Sequence, residues 1–385
     1  WKSISDGYFG GSIGSIAVSE SDPNFIYVGE GEQTLRGNVS SGRGAWKSMD
    51  AGETWEFIGL PNSEHISRIR IHPSNPDVLY VGVIGNLWKP NKERGLYKSI
   101  DGGKNWKKIL FVSQEICPYL PETEMSLIGR HLPQQIQKDE KDIRIFMPRY
   151  GVVNERRHQL HEVIRLSRMN LIVDDFDHQL IIKVGSIQSA RMQVYFIDNE
   201  DYFPKKKYFH DENGKFFSYN DERMIFFCKG VIETVRKLGW APDIIHCHGW
   251  ISSLVPLYIK KLYNEDPLFN NSKIIFSVYD TDFPGELNKE ICEILLFASN
   301  LDKKDIEGLK NPDYISLNKC AVDYADAIIK VGKKIDKKIL KHIYASGKPV
   351  MTHPGGEDGV YANAYADFYE ELHEEVEEGE LELTD

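Results

Sequence analysis

The 385-residue chain is predicted to be of mixed class. An all-β stretch occupies residues 1–107, an α/β doubly wound parallel sheet 108–356, and an acidic tail 357–385. Three observations predict this. The first 107 residues carry an internal repeat. From Lys108 onward, strand-length apolar runs alternate with helical spacing. Finally, Pro242–Tyr263, PDIIHCHGWISSLVPLYIKKLY, reads as a buried strand, a tight turn and a helix. There Ile244 and Ile245 lead into His246-Cys247-His248-Gly249-Trp250, after which Leu254, Leu257 and Tyr258 share a helical face. In a parallel sheet such a turn lies at the carboxyl ends of the strands, where ligands bind.

The repeat comes first in the chain. SDPNFIYVGEG (Ser21–Gly31) returns as SNPDVLYVGVIG (Ser74–Gly85), with Tyr27 and Tyr80 53 residues apart. Each copy is followed by a second word: Ser48-Met49-Asp50-Ala51-Gly52-Glu53-Thr54-Trp55, then Ser99-Ile100-Asp101-Gly102-Gly103-Lys104-Asn105-Trp106. Its physics is that of a β-hairpin turn: Asp caps the loop backbone, Gly takes φ > 0, and Trp packs beneath. Ser48, Asp50, Gly52 and Trp55, with Ser99, Asp101, Gly103 and Trp106, are therefore assigned structural roles. The words match the Asp-box, S-x-D-x-G-x-T-W, and the stretch resembles the Asp-box (BNR-repeat) β-propellers of the sortilin type and their bacterial secreted relatives. About two blades fall short of the ~4 at which propellers close, so a partial propeller is expected. A glycosidase site needs carboxylates and arginines converging from several blades and is not expected. His65 and His72 read as surface or packing residues.

The seam is Trp106–Ser113, WKKILFVS. It serves equally as the next blade strand and as the first strand of the α/β sheet. No Gly/Ser/Pro linker separates the parts, so the joint reads as an accidental or artefactual fusion. Beyond it the candidate strands are Ile109–Val112, Ile143–Met147, Leu180–Val184, Gln193–Ile197, Asp243–His246, Ile274–Val278 and Ala327–Val331. Asp221–Leu238 has Met224, Phe227 and Val231 at helical spacing, with Asp221 as its N-cap. That alternation implies a doubly wound sheet, which by itself fixes no chemistry.

The Pro242–Tyr263 stretch resembles the H-x-H-D-W-x-x-x-L segment of glycogen and starch synthases, ADP-glucose-dependent glycosyltransferases, and the likeness extends over about 108–356. The resemblance implies the first domain of a two-domain (GT-B) enzyme, with ADP-glucose and the acceptor glucan meeting between the domains. It also implies three site elements: a K-x-G-G-L loop after strand one for the phosphates, the Asp of H-x-H-D-W, and the His of a T-V-H-N turn. All three depart here. The first loop reads Pro118-Tyr119-Leu120-Pro121-Glu122-Thr123-Glu124-Met125-Ser126-Leu127, whose Glu122 and Glu124 would repel a diphosphate. Gly249 stands where Asp is expected, and Tyr279 where His is expected. After Val331 only 54 residues remain, too few for a second nucleotide-binding core. The expectation is a domain that is non-catalytic alone, with His246, His248, Trp250 and Tyr208 as the candidates for glucan contact. Tyr208–Phe227 and Asn318–Asp326 resemble family scaffold and read as packing and capping. The implied partners are α-glucan or a chain supplying a second glycosyltransferase domain. ADP-glucose enters only as donor, and no resident cofactor is implied. The alternative is a secreted Asp-box propeller, glycosidase-like or protein-binding.

Composition narrows the classes. The formal charge is −11, and residues 357–385 hold twelve Asp/Glu with no Lys/Arg. The remainder is near neutral without a basic stripe, which argues against nucleic acid; the tail reads as a solvated, frayed end. Cys117, Cys228, Cys247, Cys292 and Cys320 form no C-x-x-C pair, which suits a reducing, cytoplasmic compartment, whereas the propeller-like part is of a commonly exported type. No apolar run approaches the ~18 residues that span a bilayer. The opening at Trp1, without Met or a signal-peptide pattern, suggests a missing N-terminus. His246 and His248 alternate on one strand face, but two imidazoles without a third ligand are assigned no metal.

Overall fold

The computed structural model describes residues 2–34, 37–91, 93–99, 102–103, 108–138, 142–203, 208–283, 285–297, 299–356 and 360–381. The chain divides into two compact units, Trp1–Lys107 with Glu140–Asp142, and Lys108–Asp139 with Ile143–Asp385.

The first unit is two small antiparallel sheets. One runs β1 (Ile13–Val18), β2 (Ile26–Glu30), β3 (Ala45–Ser48), β4 (Glu56–Phe57) in sequence order; the other runs β5 (Ile66–His72), β6 (Asn75–Val83), β7 (Gly95–Ser99). Their alternating apolar residues meet in a core around Tyr27, Ile66, Ile69, Leu79 and Val81. The turn between β3 and β4 follows from its composition. Asp50 accepts from the Thr54 amide at 2.8 Å, and Ser48 Oγ accepts from the Gly52 amide at 2.8 Å. Gly52 sits at φ +91°. The buried Trp55 donates to the Ile4 carbonyl at 2.7 Å and meets Phe9 edge-on. The Thr54 hydroxyl, then the Thr54 amide and the Ser48 hydroxyl, all donating to it, hold the Asp50 carboxyl down at about 2. In the second copy Gly103 (φ +93°) donates to Ser99 Oγ at 2.8 Å; Asp101 and Trp106 lie outside the described residues.

The second unit is built on a ten-stranded sheet. Its strands are β8 (Lys108–Ser113), β9 (Asp142–Pro148), β10 (His161–Glu162), β11 (Met169–Val173), β12 (Phe176–Ile187), β13 (Met192–Asp198), β14 (Ile244–His248), β15 (Lys273–Val278), β16 (Ala327–Lys330) and β17 (Val350–Thr352). The order is β10-β12-β13-β9-β8-β14-β15-β16-β17, with β11 paired to β12. The seam word is therefore a central strand of this sheet: β8 lies parallel to β14, Ile109 opposite Ile244 and Ser113 opposite His248. The sheet is not wholly parallel, because β10, β11 and β13 all pair antiparallel with β12.

The helices are α1 (Glu124–Lys138), α2 (Asn220–Leu238), α3 (Leu254–Leu262), α4 (Ile291–Phe297), α5 (Tyr314–Tyr324), α6 (Lys337–Ala345) and α7 (Ala362–Leu381). α1 packs with α7, while α2, α3 and α5 pack in series. On β14, His246 meets α7 and its neighbour Cys247 lies near Cys228 of α2, so helices cover both faces, as period-2 alternation requires.

Two expectations are corrected. Asp221 is not the cap of α2: Tyr219 holds that position, and Asp221 is buried in the first turn, where desolvation raises its carboxyl to about 7. The acidic end is not simply frayed. Ala362–Leu381 is helical, and Tyr365, Phe368, Tyr369 and Leu372 enter the core, because their i, i+3, i+4 spacing gives the helix an apolar face despite its glutamates.

Candidate functional site at the strand ends

The carboxyl end of β14 runs into Gly249, whose φ of +83° and ψ of 163° belong to a region only glycine enters readily. A Cβ here would lie 2.7 Å from Gln114 Oε1, 2.8 Å from Gln114 Cβ and 2.9 Å from the Met125 sulfur. The turn is thus built around the missing side chain. Gln114 holds it from the β8 side, its amide donating to the His248 carbonyl at 3.0 Å.

His246 and His248 share one face with ring centroids 3.9 Å apart, and both are wholly buried. His246 Nδ1 is hydrogen-bonded to the Tyr369 hydroxyl (2.6 Å) and Nε2 to Ser277 Oγ (2.7 Å). His248 Nδ1 is bonded to the Tyr279 hydroxyl at 2.8 Å; among the described residues its Nε2 has no partner, nor has Ser113 Oγ at the paired position on β8. His353, just beyond β17, is bonded through Nδ1 to the Tyr365 hydroxyl at 2.9 Å. Burial lowers all three imidazoles, His248 to about 3 and His246 well below the usual range, with the neighbouring His248 adding to the effect on His246. The partners are hydroxyls, so the cluster is neutral at pH 7 and suited to hydroxyl groups rather than phosphates.

The loop after β8 carries a different chemistry. Thr123 caps α1 reciprocally with Ser126: the Ser126 amide donates to Thr123 Oγ1 (3.0 Å), and the Thr123 amide to Ser126 Oγ (2.8 Å). The buried Glu115 accepts from the Thr123 hydroxyl (2.7 Å) and from the Tyr208 hydroxyl (2.8 Å). Glu122 is exposed on the same loop. A carboxylate therefore lies inside the loop where the synthase pattern places Lys and glycines.

The structure brings His246, His248 and Tyr279 together. It places Tyr208 on the Glu115 side, its hydroxyl on that carboxylate and its ring edge-on to Tyr150 with centroids 4.4 Å apart, and seats Trp250 among Phe209 (4.8 Å) and Phe283 (4.9 Å) with 4% exposure. Trp250, like His246 and His248, is buried, so in this closed arrangement none of the three meets a glucan directly. Sequence reasoning missed Ser113, Gln114, Glu115, Ser277, His353, Tyr365 and Tyr369. The first two end or follow a strand already read, and strand pairing alone carries Ser277 beside His248. Among the described residues, no group of three or more His, Cys, Asp or Glu is placed to hold a metal, and no helix is long and apolar enough to cross a membrane.

This is a doubly wound α/β unit whose polar residues gather at the carboxyl ends of its central strands, the position at which such sheets take ligands. Residues 108–349 match the family described as the starch synthase catalytic domain, and the chain belongs to that family. Glycogen synthase of Chlorobium limicola is 37% identical over 190 residues, covering 49% of this chain and 39% of that protein. Glycogen synthase of Chlorobium luteolum is 31% identical over 256 residues, 66% of this chain and 51% of that protein. The catalytic domain of starch synthase IV from Arabidopsis thaliana, bound to ADP and acarbose, shares the fold at a TM-score of 0.52 and 17% identity, over 64% of this chain and 51% of that one. The chain spans about half the length, or less, of the relatives it matches.

Proposed function

We propose that the second unit is the first domain of a glycogen/starch-synthase-like glycosyltransferase that does not transfer glucose alone and instead holds α-glucan or a partner chain bearing the second domain. The observation that carries this is Gly249. It stands where the family pattern has a carboxylate, in a backbone conformation and a space that no Cβ fits. The loop after β8 agrees, since its exposed Glu122 and Glu124 would repel a diphosphate. ADP-glucose is then a donor only in company with the second domain, and a neutral hydroxyl-binding cluster is the feature that favours glucan. A cytoplasmic location, where such a donor would be met, is part of this reading. For the first unit, the four-stranded and three-stranded antiparallel sheets and the Ser48–Trp55 turn favour two Asp-box blades.

The test is incorporation of labelled glucose from ADP-glucose into maltoheptaose. The chain alone is expected to give none, and incorporation by the chain alone overturns the reading. Incorporation on adding a chain with a second glycosyltransferase domain supports the partner form. Retarded migration in a glycogen gel supports the glucan-holding form.

A further inference from the structure

α7 closes the strand-end cluster from one side. Tyr369 bonds His246, Tyr365 bonds His353, and the Tyr361 ring lies 4.5 Å from that of His353. Three features set this helix apart from an ordinary packed one. Its seals are hydroxyl–imidazole hydrogen bonds, which another hydroxyl can replace with little net loss. Close to those seals His248 Nε2 and Ser113 Oγ stay buried without partners, so the closed arrangement leaves polar atoms that a hydroxyl-bearing ligand would satisfy. The link before α7 carries glycines rather than packed side chains: Gly355 and Gly356 sit at φ +75° and +113°, nothing lies within 4 Å of a Cβ built on Gly355, and Val360 is exposed. Strong packing opposes release, because Tyr365 and Tyr369 are wholly buried. Any release must therefore be an equilibrium lying far towards the closed form.

We infer that α7 is a detachable strap over the strand ends, and that lifting it exposes His246 and His248 to the hydroxyls of an α-glucan. The choice of glucan rests on the function proposed above; the strap itself does not. A ligand that binds only the lifted form draws the equilibrium towards it in proportion to that difference in affinity.

Pulse labelling of histidines with diethyl pyrocarbonate in the full chain, read by mass spectrometry, tests it. Tyr369→Phe keeps the ring and leaves His246 Nδ1 unsatisfied when closed. It is expected to raise the labelling rate of His246 about tenfold, the effect of losing one buried hydrogen bond, with amide exchange in β8 and β15 unchanged. Wild-type protein with millimolar maltoheptaose is expected to expose the α7 backbone to exchange while shielding His248. A His246 rate that does not rise in Tyr369→Phe, or rises only in step with exchange in β8 and β15, overturns the strap. Faster labelling in Tyr369→Phe with no response to maltoheptaose keeps the strap and removes glucan as its occupant.

Discussion

Two glycine turns, one in each unit, have nearly the same backbone φ and opposite polar balance. Gly52 (φ +91°) lies in a turn where Ser48, Asp50 and Thr54 satisfy one another within a few residues. Gly249 (φ +83°) lies at a strand end whose neighbours come from 135 residues away, and polar atoms there remain unpaired. The first is a mainly local solution, its carboxylate and hydroxyls satisfied within its own sequence word and only Trp55 and Ala51 reaching outside it. The second is set by what strands β8 and β15 and helix α7 bring to it, and it is left incomplete. A glycine with positive φ thus signals structure in one place and a vacated side-chain position in the other.

The largest expected effect comes from filling the second turn. Gly249→Asp adds backbone strain of about 1–3 kcal/mol and overpacking of about 1–3 kcal/mol, so urea unfolding of the second unit is expected to show a loss of about 2–6 kcal/mol. A neutral result would mean that the turn opens readily and that its glycine is incidental. Acid separates the turns next. His246 and His248 are held below their ordinary 6.5, so their stabilising contribution is full above pH 6.5 and lost as the pH falls toward about 3 for His248. The loss approaches ~1.4 kcal/mol per pH unit per imidazole. The buried Asp221 carboxyl, raised to about 7, offsets about one imidazole's share because its protonation favours the folded unit as the pH falls, leaving a net loss from the pair. Asp50, held at about 2, keeps its contribution until the pH falls through the carboxylate range. Between pH 6.5 and 4 the second unit should lose melting temperature while the Ser48–Trp55 turn persists. A second-unit Tm that is flat over that window would contradict the buried neutral pair. The smallest effect is Ser48→Ala, which strands the Gly52 amide and is expected to cost about 1 kcal/mol, seen as a lower midpoint of Trp fluorescence in the first unit alone.

Legibility followed the same division. The hairpin word could be read because its hydrogen bonds close within eight residues, and the central strands because they are continuous apolar runs. The arm made by β10, β11 and the outer half of β12 was not read, since Phe176-Asp177-His178-Gln179 mixes polar and apolar residues on a partly exposed edge. α7 was hidden by its charge, although Tyr361, Tyr365, Phe368, Tyr369 and Leu372 carry the 3.6-residue period in plain view. Within the site, His246 and His248 were legible as matches to one motif and Tyr279 as a departure from another. Ser113, Ser277 and His353 reach it only through strand order, which no local pattern encodes.

The position of β8 bears on how the chain is made. One anchor of this strand, the Lys108 amide on the Asp243 carboxylate, spans 135 residues, and β14 flanks it along its length. At the ~5–20 residues per second of synthesis, on the order of 10 s separates the emergence of Ile109-Leu110-Phe111-Val112 from that of β14. Through that interval four apolar residues have one flank without its final neighbour, directly behind a first unit whose strands are already out. Such long-range pairing folds slowly. Nascent chains halted before Pro242 should therefore engage a holding chaperone at this hexapeptide, and chains halted after Val278 should not.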